Sequence, residues 1–144
     1  MKEQDLDNGF LETLSSLDKD GNILNWDKSE VRELFKKLNK EENRIIGVGL
    51  LNNSVVTTAT LLIEQKFLHR GGWVGHIEDV STHKDHMGKG YGRKMISTLL
   101  AEAEKRGCYK TILDCSEENK PFYQGLGFET AEIEMRFDHF LKDN

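Results

Sequence analysis

Residues 75–128, GHIEDVSTHKDHMGKGYGRKMISTLLAEAEKRGCYKTILDCSEENKPFYQGLGF, decide the fold of this chain. A strand that carries two adjacent carboxylates, Glu78 and Asp79, runs into a glycine-rich turn. Apolar side chains then recur at every fourth position, at Tyr91, Met95, Leu99 and Ala103. This spacing predicts an amphipathic helix over residues 91–106 that packs on a sheet. An apolar run at residues 110–115 predicts a second strand, parallel to the first, which completes a strand–helix–strand unit.

Length and composition limit the class of protein. With 144 residues, the chain can bury one core and is too short for two ordinary domains, so we predict a single domain over residues 1–144. No apolar run approaches the ~20 residues that span a bilayer. The amino terminus lacks the features of a secretion signal or a transit peptide, and Cys108 and Cys115 lack the spacing of a metal site or a disulfide framework. We therefore expect a cytoplasmic protein without a membrane partner.

The charge distribution suggests a small anionic ligand. A net charge of −5 argues against a general nucleic-acid surface. Basic side chains are nevertheless concentrated around the glycine-rich turn, at His83, Lys84, His86, Lys89, Arg93 and Lys94. We therefore expect a small polyanion to bind there.

The residues before this stretch predict two helices and a hairpin. Residues 9–17 have helical apolar spacing, and Asp27 with Glu30 forms a plausible capping box for a second helix that ends near Leu38. The runs 44–51 and 54–69 have strand composition. They are separated by Asn52–Asn53, which predicts a tight hairpin turn.

The remaining segments predict a turn, a short helix and a last strand. Residues 69–76 are predicted as a turn. Pro121 suits the first turn of a helix that ends near Gly125. Residues 128–140 alternate as expected for a final strand.

The glycine-rich turn, MGKGYG at residues 87–92, suggests a phosphate site. Gly88, Gly90 and Gly92 allow the backbone to approach a ligand closely, and the free amides at a helix start can donate to phosphate oxygens. The spacing fits neither a Walker A loop nor the full dinucleotide fingerprint. A tight structural loop is the alternative explanation.

The order of these motifs resembles a known family. A strand, a glycine-rich turn, a helix, a strand and the motif Asn-x-x-Phe-Tyr, at residues 119–123, resemble the GCN5-related N-acetyltransferases. Longer motifs resemble the glucosamine 6-phosphate branch of that family, namely ATLLIE at 59–64, GHIEDV at 75–80, GCYK at 107–110 and ILDC at 112–115. The resemblance covers residues 9–135. It implies an α/β (α+β) fold with a mixed, mostly antiparallel twisted sheet, a central splayed pair of parallel strands and about four flanking helices.

The resemblance also implies a reaction. It implies that the acetyl group of acetyl-CoA is transferred to the amine of D-glucosamine 6-phosphate in a direct ternary complex, a step of UDP-N-acetylglucosamine synthesis. It implies a homodimer formed through the C-terminal strand and no metal. Two alternatives stay open: an acetyltransferase of the same fold for another amine (protein, polyamine or other amino sugar), and a non-catalytic acyl-CoA-binding module.

The family's motifs assign site residues to this chain. The residues implied for catalysis are Glu78, Asp79, Asp114 and Tyr123. Those implied to bind acetyl-CoA are Val80, Ser81, Thr82, Met87, Gly88, Lys89, Gly90, Tyr91, Gly92, Arg93, Asn119, Phe122 and Tyr123. Those implied to bind the sugar phosphate are Lys66, His69, Glu78, Asp79, Leu113, Asp114 and Arg136.

The catalytic roles that the resemblance implies depend on a bulge in the strand that carries Glu78 and Asp79, and on the phenol of Tyr123. A regular pleat sends Glu78 and Asp79 to opposite faces, whereas the family has a bulge that re-aims them. The amine's proton is expected to pass to Glu78 or Asp79 through water, or to leave with help from backbone carbonyls near Asp114. The amide near Val80 is expected to stabilise the oxyanion. Tyr123 is expected to protonate the departing thiolate.

The chain departs from the family pattern at three positions. Met87 replaces the Gln or Arg that usually begins the phosphate turn. Asp138 stands where relatives have an Arg that binds the sugar phosphate, and Arg136 is the candidate to replace it because it lies two residues earlier on the same strand face. Asp18 stands in place of a Thr that touches the sugar.

Overall fold

The computed structural model describes residues 1–19 and 21–139. Contacts between residues divide the chain into two compact units, Met1–Leu113 and Asp114–Asn144. The single domain stays a prediction. Among the described residues, no helix combines the length and the apolar character that crossing a membrane requires.

The first unit contains one four-stranded sheet among its described residues. Its elements are α1 (Phe10–Leu14), α2 (Lys28–Leu38), β1 (Arg44–Leu51), β2 (Ser54–Gln65), the single turn α3 (Leu68–Gly71), β3 (Trp73–Thr82), α4 (Tyr91–Lys105) and β4 (Cys108–Ile112). The strand order is β1-β2-β3-β4. The β1–β2 pair is antiparallel and the β3–β4 pair is parallel, as predicted, and the structure adds an antiparallel pairing of β2 with β3.

Helix α4 packs on the sheet through the predicted stripe. Its buried residues are Met95, Ile96, Leu99 and Ala103. Two strand glycines let the helix approach: a Cβ on Gly47 would lie 2.7 Å from Met95 Sδ, and one on Gly75 would lie 3.4 Å from Ala103 Cβ. Part of the core of the first unit therefore lies between α4 and this face of the sheet, and the buried Val31 and Phe35 come from α2.

Helices α1 and α2 begin close to the predicted positions. The Asp27 carboxylate caps α2 by accepting from the amides of Ser29 (2.8 Å) and Glu30 (3.3 Å). The Glu30 side chain accepts from Trp26 Nε1 at 2.9 Å. Asp27 therefore caps α2 as predicted, but the predicted capping box is incomplete, because the Glu30 carboxylate accepts from the indole of Trp26 and not from the Asp27 amide.

The hairpin turn between β1 and β2 is confirmed. Asn52 and Asn53 have φ of 49° and 66°, the left-handed values that a tight primed turn requires. The second strand ends at Gln65, so the prediction that it runs to residue 69 is wrong. The chain leaves the sheet in α3, where His69 and Arg70 also have positive φ.

Three predicted boundaries differ from the observed ones. The turn predicted at residues 69–76 is shorter, because β3 already begins at Trp73. Strand β4 runs from Cys108 to Ile112, earlier than the predicted 110–115. The second unit contains α5 (Lys120–Gln124), with Pro121 in its first turn as predicted.

The predicted final strand is wrong for the described residues. Residues 129–138 have no regular secondary structure, and residue 139 is a bend. The apolar side chains of the alternating pattern, at Ile133, Met135 and Phe137, are between 81% and 89% exposed. Alternation makes a segment suitable for a sheet, but a strand also needs a neighbouring strand to pair with. Residue 140 lies outside the described residues.

Candidate active site

The bulge that the resemblance implied is present in β3. Thr58 pairs with Ser81 and Thr60 pairs with Glu78, so that Asp79 and Val80 together face the single residue between the two threonines. Asp79 has φ of 52°, a left-handed value that is uncommon for a residue other than glycine. The bulge interrupts the regular pleat, and neighbouring side chains need not alternate there.

Strand β3 extends beyond its parallel partner. Its pairing with β4 covers only Trp73 to His76. The following six residues, 77–82, have no strand partner on that side within the described part of the first unit. Backbone groups of Val80 therefore lie on a stretch of β3 that its parallel neighbour does not cover, as a splayed pair requires.

The carboxylates near the bulge are accessible. Glu78 is half-buried and Asp79 is exposed. Glu78 Oε1 lies 3.2 Å from His76 Nε2, two residues earlier on the strand. This arrangement places a histidine–carboxylate pair on β3 directly before the bulge.

The glycine-rich turn has room for a phosphate. Gly88 and Gly90 have φ of 72° and 85°, and a Cβ on either would meet no atom within 4 Å. The first helical bond runs from the Lys94 amide to the Gly90 carbonyl, so the amides of the first turn of α4 have no acceptor within the helix. The residues present therefore fit a pyrophosphate, because backbone donors and open space coincide.

The side chains of the turn already interact with its backbone. Lys89 Nζ donates to the Asp85 carbonyl at 2.8 Å, and the Met87 side chain is 55% exposed. His83 Nδ1 accepts from the Asp85 amide at 3.3 Å. His86 packs edge-on against Tyr91, and its buried Nδ1 has no hydrogen-bond partner among the described residues. Both histidines thus have structural roles in the turn.

The second unit places Tyr123 among aromatic rings. Its ring lies 5.0 Å from that of Phe122 and 5.9 Å from that of Phe128, and only 8% of the residue is exposed. Burial raises the pKa of the Tyr123 phenol, and the nearby Cys115 raises it further. The phenol therefore keeps its proton at neutral pH and can act as a proton donor. Asn119 directly precedes α5, and Asp114 is exposed.

The candidate residues for the sugar phosphate lie apart from the bulge. Lys66 pairs with Glu64 at 2.6 Å, and the His69 ring lies 4.1 Å from that of Tyr109. Both adjoin the start of β3, because the Lys66 amide donates to the Gly72 carbonyl. Glu78 lies roughly 15–20 Å further along that strand at ~3.3 Å per residue. The first unit of one chain therefore does not bring Lys66 and His69 to the bulge.

Two other assigned residues are engaged locally. Arg136 Nε donates to Asp138 Oδ1 at 2.8 Å, and both side chains are exposed. The residue proposed to replace the family's arginine is therefore paired with the residue that occupies the arginine's place. Asp18 Oδ2 accepts from the Ile23 amide at 2.6 Å and closes the loop after α1.

The resemblance assigned Ser81 to acetyl-CoA binding, whereas the sequence analysis did not foresee the hydroxyl bridge that its side chain makes beside the bulge. Ser81 is buried and bonds to Ser16 and to the Thr13 carbonyl, while Thr57 bonds to the Ser81 carbonyl. No local sequence pattern indicates these long-range partners. Ser16 and Ser81 are 65 residues apart, and isolated serines are ordinary in turns and strands.

Comparison with known proteins agrees with this architecture. Residues 11–128 match the model of the acetyltransferase (GNAT) family. Glucosamine 6-phosphate N-acetyltransferase of Candida albicans is 37% identical over 135 residues, which cover 94% of this chain and 90% of that protein. The Arabidopsis thaliana enzyme of that name is 33% identical over 127 residues, which cover 88% of this chain and 85% of that protein.

Solved structures extend the comparison to the fold. The crystal structure of glucosamine-6-phosphate N-acetyltransferase from Arabidopsis thaliana superposes with a TM-score of 0.89 at 32% identity. It covers 97% of this chain, and this chain covers 95% of it. The superposition therefore extends over nearly the whole of both chains. The chain belongs to the acetyltransferase (GNAT) family.

Proposed function

We propose that this chain transfers the acetyl group of acetyl-CoA to the amine of glucosamine 6-phosphate. The observation that carries the proposal is the Asp79–Val80 bulge, which opens β3 beside carboxylates and ahead of a phosphate-sized turn. Relatives with the corresponding name match nearly the whole chain, which supports the choice of acceptor.

The chain's own groups supply the proton transfers. Acetyl-CoA, when bound, supplies the acetyl group as a thioester. Glu78 or Asp79 would take the proton of the acceptor amine through water. The amide of Val80 would donate to the carbonyl oxygen as negative charge develops on it, and removal of one such donor costs ~2.7–4 kcal/mol in other enzymes. Tyr123 would donate the proton that the departing thiolate needs.

The turn and its flanks would bind the cosubstrate. Backbone amides at residues 88–92 would hold the pyrophosphate, with Lys89 and Arg93 nearby. Asn119 would bond to the pantetheine arm. Because Met87 offers no charge, binding would depend more on the backbone than in a turn that begins with Arg.

The proposal is tested by the thiol released from acetyl-CoA. The purified chain is incubated with glucosamine 6-phosphate, glucosamine or a lysine peptide, and free thiol is followed over time. We expect rapid release with the phosphorylated sugar and slow release with the other two. Absence of release with glucosamine 6-phosphate would overturn the proposed acceptor, whereas preference for the peptide would favour a protein acetyltransferase.

We further propose that the chain works as a homodimer paired through residues 129–139. Ile133, Met135 and Phe137 are exposed apolar residues at alternating positions, which is the pattern of a segment that can pair with another strand. In a dimer, Lys66 and His69 of one chain would contribute to the acceptor site at the bulge of the other chain. Molar mass by light scattering tests this: the full chain should be dimeric, and a chain truncated after Thr130 should be monomeric.

The location that we propose is the cytoplasm. Cys108 and Cys115 are free thiols, which a reducing compartment preserves. Fractionation of cells that carry the tagged chain tests this, and recovery of the chain with membranes would contradict it.

A further inference from the structure

Ser81 joins the bulged strand to the segment that follows α1. Its side chain is buried, with only 3% of the residue exposed. Ser81 Oγ donates to the Thr13 carbonyl and lies 2.7 Å from Ser16 Oγ. Because a serine has one hydroxyl hydrogen, and Ser81 gives its own to Thr13, Ser16 is the donor in the second bond.

The backbone of Ser81 is held as well. Thr57 Oγ1 donates to the Ser81 carbonyl at 2.9 Å, and the next residues are fixed by a bond from the His83 amide to the Val56 carbonyl at 2.9 Å. Ser81 directly follows Val80, whose amide is the proposed oxyanion donor. These bonds therefore set the position at which regular pairing resumes after the bulge.

The other end of the Ser81 bridge leads to an open pocket. Ser16 lies in the 3₁₀ turn Ser15–Leu17, and among the described residues that follow, Ile23–Asn25 form a second 3₁₀ turn. The pocket has a volume of about 550 Å³ and is lined by Asp18, Asn22, Ile23, Asn25 and Trp26. Amides, a carboxylate and an indole face are groups that can bind the hydroxyls and the ring of a sugar.

We propose that Ser81 is a positioning residue that couples the loop residues lining this pocket to the Asp79–Val80 bulge, so that acceptor and thioester are aligned. This inference rests on the proposed function. Removal of the hydroxyl leaves the Thr13 carbonyl and the Ser16 hydroxyl without this partner, and the loop loses its tie to the strand. The affinity for the acceptor should then fall more than the affinity for acetyl-CoA.

One test needs no substrate. The chain has two tryptophans, so in a Trp73→Phe background the fluorescence reports on Trp26 alone. Ser16→Ala, at an exposed residue that should tolerate it, and Ser81→Ala should each raise acrylamide quenching of Trp26 by about a factor of two. Thr98→Ala removes a hydroxyl that bonds to the Lys94 carbonyl within α4 and serves as the matched control. Unchanged quenching in both serine variants would overturn the coupling.

The second test separates positioning from general damage. We expect Ser16→Ala to raise the KM for glucosamine 6-phosphate about fivefold, the loss of roughly one hydrogen bond, with the KM for acetyl-CoA unchanged. The double variant should be no worse than Ser81→Ala, because both changes break one bridge. Equal rises in both KM values, or additive effects, would contradict the proposal. If the unaltered chain does not acetylate this sugar, the proposed function fails, while the quenching result still decides the coupling.

Discussion

Gly75 and Thr111 face each other across the parallel strands, and a Cβ on Gly75 would lie only 2.9 Å from Thr111 Oγ1. The same atom would lie 3.1 Å from Leu61 Cδ1. Gly75 therefore has no room for a side chain on the strand that leads to the bulge, where it also faces Ala103 of α4.

We expect Gly75→Ala to destabilise the chain. An added methyl in a close-packed core typically costs about 1–3 kcal/mol. Denaturant unfolding should show a lower midpoint with an unchanged slope. Gly75→Ala combined with Thr111→Ala removes one of the close contacts and should recover part of the loss. A Gly75→Ala chain as stable as the original would show that the neighbouring groups move aside at little cost.

Substitution in the glycine-rich turn should separate backbone strain from ligand binding. Gly88→Ala and Gly90→Ala each force a left-handed alanine, at a cost of roughly 1–2 kcal/mol, and place a methyl where phosphate is proposed to bind. Gly107 has φ of 77° and equally open surroundings at the other end of α4. Gly107→Ala should therefore lose similar stability and keep its affinity for acetyl-CoA, measured by calorimetry. Equal affinity in all variants would remove the turn from the binding site.

The sequence predicts those elements that are determined by local pattern. The stripe of α4 and the Asn52–Asn53 turn follow from side-chain spacing and from backbone preference, and both are present. The bulge could not be derived in this way. Alternation alone places Glu78 and Asp79 on opposite faces, and the extra residue becomes visible only in the pairing with β2.

The remaining differences come from interactions beyond the local segment. Ile133, Met135 and Phe137 alternate like a strand, but the described chain offers them no partner strand. His69 and Arg70 have left-handed φ values, although neither is a glycine, the residue type from which such values are predicted. The Ser16–Ser81 bond depends on two segments far apart in sequence. Each depends on partners or packing that side-chain spacing does not encode.

The two cysteines should react at different rates with a disulfide reagent. Cys115 is exposed, whereas burial raises the pKa of the Cys108 thiol, which Arg106 only partly offsets. Because the thiolate is the reactive form, the Cys108 thiol should react in the slow phase at neutral pH. Cys115→Ser should abolish the fast phase and Cys108→Ser the slow one. A single phase that accounts for both thiols would contradict this order.

Tyr123 should make stability fall at high pH. Its pKa is raised in the folded chain, first by burial and then by Cys115, so the unfolded chain loses this proton at lower pH than the folded one. The protonated phenol therefore contributes to the free energy of unfolding. This contribution is fully present below about pH 10, the pKa of an ordinary tyrosine, and is lost as the pH rises through the pKa of Tyr123 in the folded chain. Unfolding midpoints measured from pH 8 to pH 11 should therefore decline less in Tyr123→Phe than in the original chain. Parallel declines would show that the phenol does not contribute.

Tyr123→Phe should slow turnover more than it weakens cosubstrate binding. The substitution keeps the ring that packs against Phe122 and Phe128 and removes only the hydroxyl. Loss of a general acid typically lowers a rate about 10²–10⁴-fold, and we expect kcat to fall within that range. The KM for acetyl-CoA should change little, because the proton is needed only as the thiolate departs.

Tyr109→Phe is the matched control for this experiment, because Tyr109 is 39% exposed at the start of β4 and the substitution keeps the ring that lies 4.1 Å from that of His69. Its kcat should equal that of the original chain. The raised pKa of Tyr123 also predicts that the original enzyme keeps its turnover to higher pH than an ordinary phenol would allow. Equal turnover in Tyr123→Phe and the original chain would transfer the role of proton donor to water or to another side chain.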